Sequence, residues 1–432
     1  MNWDDIPWGP WPEGTEPPPT DPDAEQRRRL GLPATLRLVR DGRQPLLFDP
    51  SLKHHSRAMR AGPPRFASAT KKHRWSVARR QALDHVLTAV ASSPWADHLV
   101  LRGSLLLRAW YGEAAREPHD LDFVVVPASF GIADDRAEPM LADLARRAED
   151  VSHRSGDVRL SADDAVRDDI WTYDRVPGRR LVLPWGTDGL PEGTVQLDFV
   201  FNEPLPVAPT WTPLPPLSGT GATLRVQAAT PELSLAWKVM WLLDDMYPQG
   251  KDLYDALLLA GDTPLDFRLL ADVLVAADPT HVRRLPTLDD VKRLRVDWPE
   301  FQKEHPELPG TETDAHQRLI HALTPTFTAD DGLPTADYAR RAELLSPRVA
   351  EYTPVLASEG TEAVLRRMAL TDRLDANEAT IILNELLHRA PTDVPATLEA
   401  VLTGYTAASS DWSEYLARYP EARTKILNDL VP

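Results

Sequence analysis

Three acidic residues stand in stretches that are otherwise apolar. Asp120 and Asp122 lie in HDLDFVV, and Asp198 lies in TVQLDFVF. An ionised carboxylate inside an apolar strand is costly unless it is paired or bound to a cation. Residues i and i+2 of a strand face the same side. The Asp120 and Asp122 carboxylates therefore converge, while Leu121 and Phe123 face a core. By the same alternation Gln196 and Asp198 share one face, and Leu197, Phe199 and Phe201 share the other. With its strand laid beside the first, Asp198 completes a three-carboxylate cluster. All-oxygen donors suit Mg2+ or Mn2+. The chemistry open to such a set is displacement at phosphorus, in which divalent metals stabilise the attacking and leaving oxygens. Asp198 is also a candidate general base on an acceptor hydroxyl.

The elements that must position these acids can be read around them. A short strand is predicted at His98–Leu101, then a turn at Arg102-Gly103-Ser104, then a helix over Leu105–Tyr111. Gly103 lets the backbone approach a phosphate closely. Ser104 stands at the helix start, where unpaired N–H groups and the positive dipole end suit a triphosphate. Gly-Ser and Asp-x-Asp are each common in loops. Their order carries the information: strand, Gly-Ser turn, helix, Asp-x-Asp strand, then a later strand acid. Further strands are predicted at Asp120–Val126, Arg180–Leu183, Thr194–Phe201 and Thr223–Val226, with a helix over 137–151.

From Pro231 the pattern is helix after helix, beginning PELSLAWKVMWLLDDMY and KDLYDALLLAGD. It continues through Leu269–Ala277, Gln317–Leu323, Tyr338–Leu345, Glu362–Leu370, Ala376–His388 and Pro395–Leu402. The expected fold is α/β (α+β), a small mixed sheet with helices on it, followed by an all-helical C-terminal region. The expected division is a Trp/Pro-rich, partly disordered arm over 1–50, an α/β domain over 51–228 and a helical domain over 229–432. The catalytic groove is expected between the last two. Within the arm, Trp3, Trp8 and Trp11 either stay extended or pack against the body or a partner. Asp41-Gly42 in LRLVRDGRQPLLF signals a hairpin.

The absence of cysteine removes disulfides, thiolate metal sites and cysteine nucleophiles together. No segment joins a basic stretch to an apolar run, and none approaches the ~18–20 apolar residues of a membrane span. A cytoplasmic protein with no membrane association is expected. The net charge of −17 argues against a nucleic-acid binder, but the charge is segregated. Residues 51–83 contain no Asp or Glu, and hold Lys53, Arg57, Arg60, Arg65, Lys71, Lys72, Arg74, Arg79 and Arg80. Such a segment suits a phosphate backbone, a nucleotide or an acidic partner, or is a solvated helix face that balances an acidic body. Its second half reads as an amphipathic helix with Trp75, Ala78, Ala82, Leu83, Val86, Leu87 and Val90 on one face. The Gly-x-Gly in SGTGAT reads as a turn, His119 as a strand-edge residue, and Trp211, Trp237 and Trp241 as core.

The stretch LVLRGSLLLRAWYGEAAREPHDLDFVV resembles the nucleotidyltransferase core of the DNA polymerase β superfamily. More narrowly it resembles the AbiEii/AbiGii toxin family of type IV toxin–antitoxin systems. Arg102-Gly103-Ser104 stands for the family's turn, Arg116 precedes Asp120 by four, and Asp120-Leu121-Asp122 holds the carboxylates. One of the family's paired glycines is missing, and Pro118 stands where Ser or Thr is usual. Downstream, Lys238 in LSLAWKVMW and Lys251-Asp252-Leu253-Tyr254-Asp255 match a second family block.

The resemblance implies a Mg2+-dependent nucleotidyltransferase that moves a nucleoside monophosphate from an NTP to an acceptor. It implies metal binding by Asp120, Asp122 and Asp198. Gly103, Ser104, Arg116, Lys238 and Asp252 would bind nucleotide, with Lys238 neutralising the triphosphate and Asp255 or Asp252 organising that lysine or the acceptor. It further implies a toxin acting on RNA at the tRNA 3′ end, with a cognate antitoxin as partner. Lys71, Lys72, Arg74, Arg79 and Arg80 are the candidate acceptor-binding residues. Two other functions fit the same residues: a nucleotidyltransferase acting on a small molecule such as an antibiotic, and a non-catalytic protein that binds nucleotide or antitoxin.

Overall fold

The computed structural model describes residues 3–5, 17–18, 20–39, 44–172, 176–329, 331–334 and 336–430. The chain forms two compact units, residues 1–264 with 294–322 and residues 265–293 with 323–432. No helix among the described residues is long and apolar enough to cross a membrane.

The first unit opens with α1 (Ala24–Leu30), β1 (Leu46–Phe48), β2 (Met59–Ala61) and α2 (Ala69–Ala91). The sheet and its helices follow: β3 (Leu99–Arg102), α3 (Ser104–Tyr111), β4 (Asp120–Val125), α4 (Ala137–Ser155), β5 (Arg159–Leu160), β6 (Val166–Thr172), β7 (Val176–Gly186), β8 (Gly193–Val200), β9 (Thr210–Leu214) and β10 (Leu224–Ala228). Then come α5 (Pro231–Asp244) and α6 (Gly250–Asp262). The chain forms α7 (Phe267–Ala277) and α8 (Leu288–Lys292) in the second unit before returning with α9 (Trp298–Glu304); α10 (Glu312–Thr328) begins in the first unit and ends in the second.

The eight-stranded sheet runs β5-β7-β8-β4-β3-β10-β9, with β6 also paired to β7. It is mixed: β4 is parallel to β8 and β10 to β3, while β3–β4, β7–β8 and β9–β10 are antiparallel. Leu121, Phe123, Leu197 and Phe199 are fully buried, and the Phe123 and Phe199 rings stack 5.6 Å apart. The period-two pattern of these strands thus turns one face to the core and leaves the acids on the other. Ser68 caps α2 by accepting from the Lys71 N–H. The face read from Trp75 to Val90 is buried, and α2 packs on α4, β8 and β10.

The strands β2, β5, β6 and β9 lie outside the predicted set. Pro213 lies in β9, at an edge of the sheet, where a missing N–H donor is tolerated. Among the described residues the acid-rich β6 likewise pairs only with β7. The expected hairpin turn at Asp41-Gly42 and the tryptophans Trp8 and Trp11 lie outside the described residues. Strand β1, which follows, pairs antiparallel with β2. In the arm, Asp23 caps α1 with a capping box, and Trp3 is buried against Leu30, Leu32 and Leu36.

The second unit is helical. It continues with α11 (Asp337–Leu370), α12 (Ala376–Leu386), α13 (Val394–Ala408), α14 (Ser410–Arg418) and α15 (Ala422–Leu430). The two helices read at Tyr338–Leu345 and Glu362–Leu370 are the ends of α11, which breaks at Gly360 with φ of +82°. Its core gathers Tyr352, Val364, Met368, Ile381, Leu398, Val401 and Tyr405.

Candidate active site

The parallel pairing of β4 with β8 places Asp122 directly beside Asp198, and Asp120 beside Gln196. One oxygen from each of Asp120, Asp122 and Asp198 lies within 4.8 Å of the others. The neighbouring strands extend this row on both sides. Arg102 of β3 pairs with Asp122, and Arg180 of β7 pairs with Asp198. Across four strands the order is Arg, Asp, Asp, Arg, so two like charges at the centre are flanked by two guanidiniums. Like charges directly opposite one another are unfavourable. Burial first, then the Asp120 and Asp198 charges, push the Asp122 carboxyl up to about 7. Burial raises Asp198 as well, and outweighs the opposing effect of Arg180.

Gly103 caps the N-terminus of α3 with φ of +84°. A Cβ there would stand 2.3 Å from Asp122 Oδ2, so only glycine leaves room for the carboxylate. The Ser104 hydroxyl is completely buried and has no hydrogen-bond partner among the described residues. A buried hydroxyl left in this state is costly unless a ligand or water meets it.

The downstream block forms a buried ion network. Lys238 Nζ lies 2.7 Å from Asp252 Oδ1 and 2.9 Å from Asp255 Oδ2. Arg116 forks onto Asp255, its Nε 3.1 Å from Oδ1 and its Nη2 3.1 Å from Oδ2. Burial alone would raise the Asp255 carboxyl, but Arg116 and then Lys238 hold it at about 2. Burial lowers Lys238, yet Asp252 and Asp255 keep its ammonium above the ordinary lysine range. The same ammonium lies 4.6 Å from the Trp241 ring centre, and the Arg102 guanidinium 5.1 Å from that of Trp237.

Arg180 was not singled out from sequence, although it opens a predicted strand. Its guanidinium is buried, with Nε and Nη2 each 2.8 Å from an Asp198 oxygen. Its Nη1 reaches Asp49 Oδ2 at 2.7 Å, and Nη2 reaches Ser51 Oγ at 3.0 Å. The available signal was a charged residue alternating with Leu181 and Leu183 along β7. Asp49 gave none, because its partner is remote in sequence. Arg102 is paired with Glu203 at 2.9 Å.

The acids open on one cleft of about 1100 Å3 in the first unit, which the fully buried Ser104 does not border. Gly103, Arg116, Asp120, Asp122, Asp198, Lys238 and Asp252 all border it, and Asp255 lies behind Arg116 and Lys238. Helices α5, α6 and α9 contribute to its wall, so it lies within one unit. The basic segment divides. Lys53, Arg60 and Arg65 line the cleft, whereas Lys71, Lys72 and Arg74 are exposed on the first turns of α2 and do not. Arg79 is buried and donates to the Pro118 carbonyl, and Arg80 forks onto Glu117 at 2.7 and 2.8 Å. Phe48, Trp171, Met246 and Tyr247 are exposed large apolar side chains on the cleft wall. His119 is half-buried beside His305, with ring centres 5.8 Å apart. Trp237 is core, Trp241 borders the cleft, and Trp211 is exposed.

No curated protein sequence matches the chain. Among solved structures it is similar to MenT4, a nucleotidyltransferase toxin of Mycobacterium tuberculosis, with 18% identity, a TM-score of 0.44, and coverage of 65% of this chain and 94% of that one. The sequence profile described as nucleotidyl transferase AbiEii toxin, type IV toxin–antitoxin system, matches residues 85–328, more than half of the 432 residues. The matched span runs from within α2 to the end of α10 and contains the three carboxylates, the Gly103-Ser104 turn and the Lys238–Asp255 network. The chain belongs to the AbiEii nucleotidyltransferase toxin family.

Proposed function

We propose that this nucleotidyltransferase moves a nucleoside monophosphate from an NTP to an RNA acceptor in the cytoplasm, the tRNA 3′ end being the expected site, and that a cognate antitoxin restrains it. The observation that carries the reading is the convergence of Asp120, Asp122 and Asp198 in one cleft that Gly103, Arg116 and Lys238 also border.

The donor set fits a divalent cation. It is all oxygen, its ligand atoms lie within 4.8 Å, and its central carboxyl is driven to about 7 by burial and then by the like charges of Asp120 and Asp198. Asp120, Asp122 and Asp198 would hold Mg2+ or Mn2+, which when bound supplies charge stabilisation for the attacking and leaving oxygens. Lys238 and Arg116 offset the triphosphate charge, and Asp255 orients both by its short bonds to them. The α3 N-terminus, reached past Gly103 with the unpartnered Ser104 hydroxyl buried behind it, favours phosphate oxygens. The acceptor hydroxyl oxygen forms its bond to the α-phosphorus as the α–β bridging P–O bond breaks. Pyrophosphate leaves, and the hydroxyl proton passes to Asp198. The exposed aromatics Phe48, Trp171 and Tyr247, with Lys53 and Arg65 nearby on the cleft wall, favour an acceptor with unpaired bases over a small molecule.

The test is incubation with each labelled NTP, Mg2+ and total RNA, comparing wild type with Asp120→Ala. Label is expected in RNA with wild type alone. Label only in a small acceptor supports the small-molecule alternative, and no transfer to any acceptor supports the non-catalytic one. Equal transfer by Asp120→Ala rejects the site.

A further inference from the structure

Arg180 is one permanent positive charge divided between two carboxylates from distant parts of the chain. On one side it forks onto both oxygens of Asp198, at 2.8 Å each. On the other it holds Asp49 Oδ2 at 2.7 Å. Asp49 is fixed in turn. It is buried, its Oδ1 accepts from the Ser51 N–H at 3.1 Å and the Ser51 hydroxyl at 2.7 Å, and Arg60 lies 3.8 Å from its Oδ2. A guanidinium cannot lose its proton here. Its charge can only be apportioned between its partners. Each part given to Asp198 weakens that carboxylate as a cation ligand, and each part drawn off by Asp49 restores it. Asp49 and Asp198 are brought together by a segment that lies outside the strand–turn–helix core and reaches the cleft through residues 49–51.

We propose that Arg180 and Asp49 are positioning residues that set how strongly the carboxylate cluster holds a divalent cation, Arg180 by partly neutralising Asp198 and Asp49 by drawing on Arg180. This rests on the reading of Asp120, Asp122 and Asp198 as cation ligands. It makes an unusual demand: removing a well-packed, buried arginine tightens the metal. A purely structural role leaves metal binding weaker or unchanged.

The experiment is equilibrium binding of Mn2+ to the full chain without nucleotide, by calorimetry or by electron paramagnetic resonance of free Mn2+. The proteins are wild type, Arg180→Gln, Asp49→Asn, the double variant, and Asp122→Asn to locate the site. Arg180→Gln is expected to tighten binding roughly tenfold, the size of losing one nearby charge in a partly screened site. Asp49→Asn is expected to weaken it several-fold, and that effect is expected to be smaller in the Arg180→Gln background, where only the direct action of the Asp49 charge on Asp198 is left. Unchanged or weaker binding in Arg180→Gln overturns the proposal. So does an Asp49→Asn effect of equal size in both backgrounds. Where Arg180→Gln does not fold, Arg180→Lys carries the test. It keeps the charge but cannot fork onto Asp198 while holding Asp49, so the Asp49→Asn effect falls by at least half, and an undiminished effect overturns the proposal. A wild type without Asp122-dependent Mn2+ binding removes the cation reading and this inference with it. Asp122-dependent binding with the wrong signs removes this inference alone.

Discussion

Gly103 and Asp122 compete for one volume: a methyl group on Gly103 would lie 2.3 Å from Asp122 Oδ2. The glycine of the turn is therefore fixed from two directions. Its φ of +84° lies where side chains are strained, and its missing Cβ makes room for the carboxylate of the facing strand. The same contact sets the turn against the acids, because β3 and β4 pair through Arg102 and Asp122 one residue earlier.

Gly103→Ala is accordingly expected to displace Asp122 and to lower kcat by about a hundredfold, the usual consequence of misplacing a catalytic group by roughly 1 Å. Stability should fall by only about 1–2 kcal/mol from the backbone strain. Steady-state kinetics with NTP and acceptor, alongside a urea melt, measures both. A variant with full kcat rejects the tight coupling of turn and carboxylate.

Much of this site is legible in the sequence alone. Asp120, Asp122 and Asp198 stand out because charge inside apolar strands is expensive, and the two-residue period alone tells which neighbours face the core. The α2 face from Trp75 to Val90 could be read for the same reason, with a different period. Arg180 and Asp49 could not. Their role exists only through the β7–β8 register and the return of residues 49–51 to the sheet, and no local pattern encodes either. The fate of the basic segment was equally hidden. Arg79 and Arg80 look like their neighbours in sequence, yet the chain spends them on Pro118 and Glu117 while Lys53, Arg60 and Arg65 reach the cleft. The fork of Arg116 on Asp255 joins residues 139 apart, and family resemblance rather than spacing brought both to notice.

Asp255→Asn is expected to cost about 3–5 kcal/mol, because it leaves the buried Arg116 and Lys238 without their shared anion. The side chain is fully buried, so solvent does not screen the loss. Trp412 is the one tryptophan in the second unit's residues, so tryptophan fluorescence during guanidinium unfolding reports chiefly on the first unit. An unfolding midpoint equal to wild type rejects the network as a structural element. Lys238→Met tests the other side: it leaves Asp252 without its lysine and is expected to raise KM for NTP as well.

Proton and cation compete at Asp122. Its carboxyl titrates at about 7 in the folded protein against 3.8 for an unperturbed aspartate. A raised carboxyl pKa means that the folded state binds the proton more tightly than the unfolded chain does. Its contribution to stability is fully present below the unfolded value and is lost as pH rises towards 7. A divalent cation must displace that proton, so its stabilising effect moves oppositely and grows with pH. Without added metal, the melting temperature of the first unit is expected to decline between pH 5 and pH 7.5. The rise produced by Mn2+ should be small at pH 5.5 and several-fold larger at pH 8. Asp122→Asn removes the titrating group and should flatten both trends. A metal-induced shift that is independent of pH in the wild type contradicts the assignment.

The cleft wall supplies the last expectation. Phe48 is 55% exposed and Tyr247 53%, their rings 6.1 Å apart edge-on, and Trp171 is 41% exposed on the same cleft. Side chains this exposed contribute little to the core, so their replacement should leave the melting temperature within a degree or two. Stacking of an unpaired base on an aromatic ring is worth about 1–3 kcal/mol. Trp171→Ala and Tyr247→Ala are therefore each expected to raise KM for an RNA acceptor by roughly five- to a hundredfold while kcat at saturation and KM for NTP change less than twofold. If NTP KM rises instead, these rings hold the base of the incoming nucleotide and the acceptor enters elsewhere. If neither changes, the aromatic wall has no part in recognition, and Lys53 and Arg65 are left to guide the acceptor by charge. In that case acceptor KM should rise steeply with salt, because phosphate contacts weaken as counterion concentration increases.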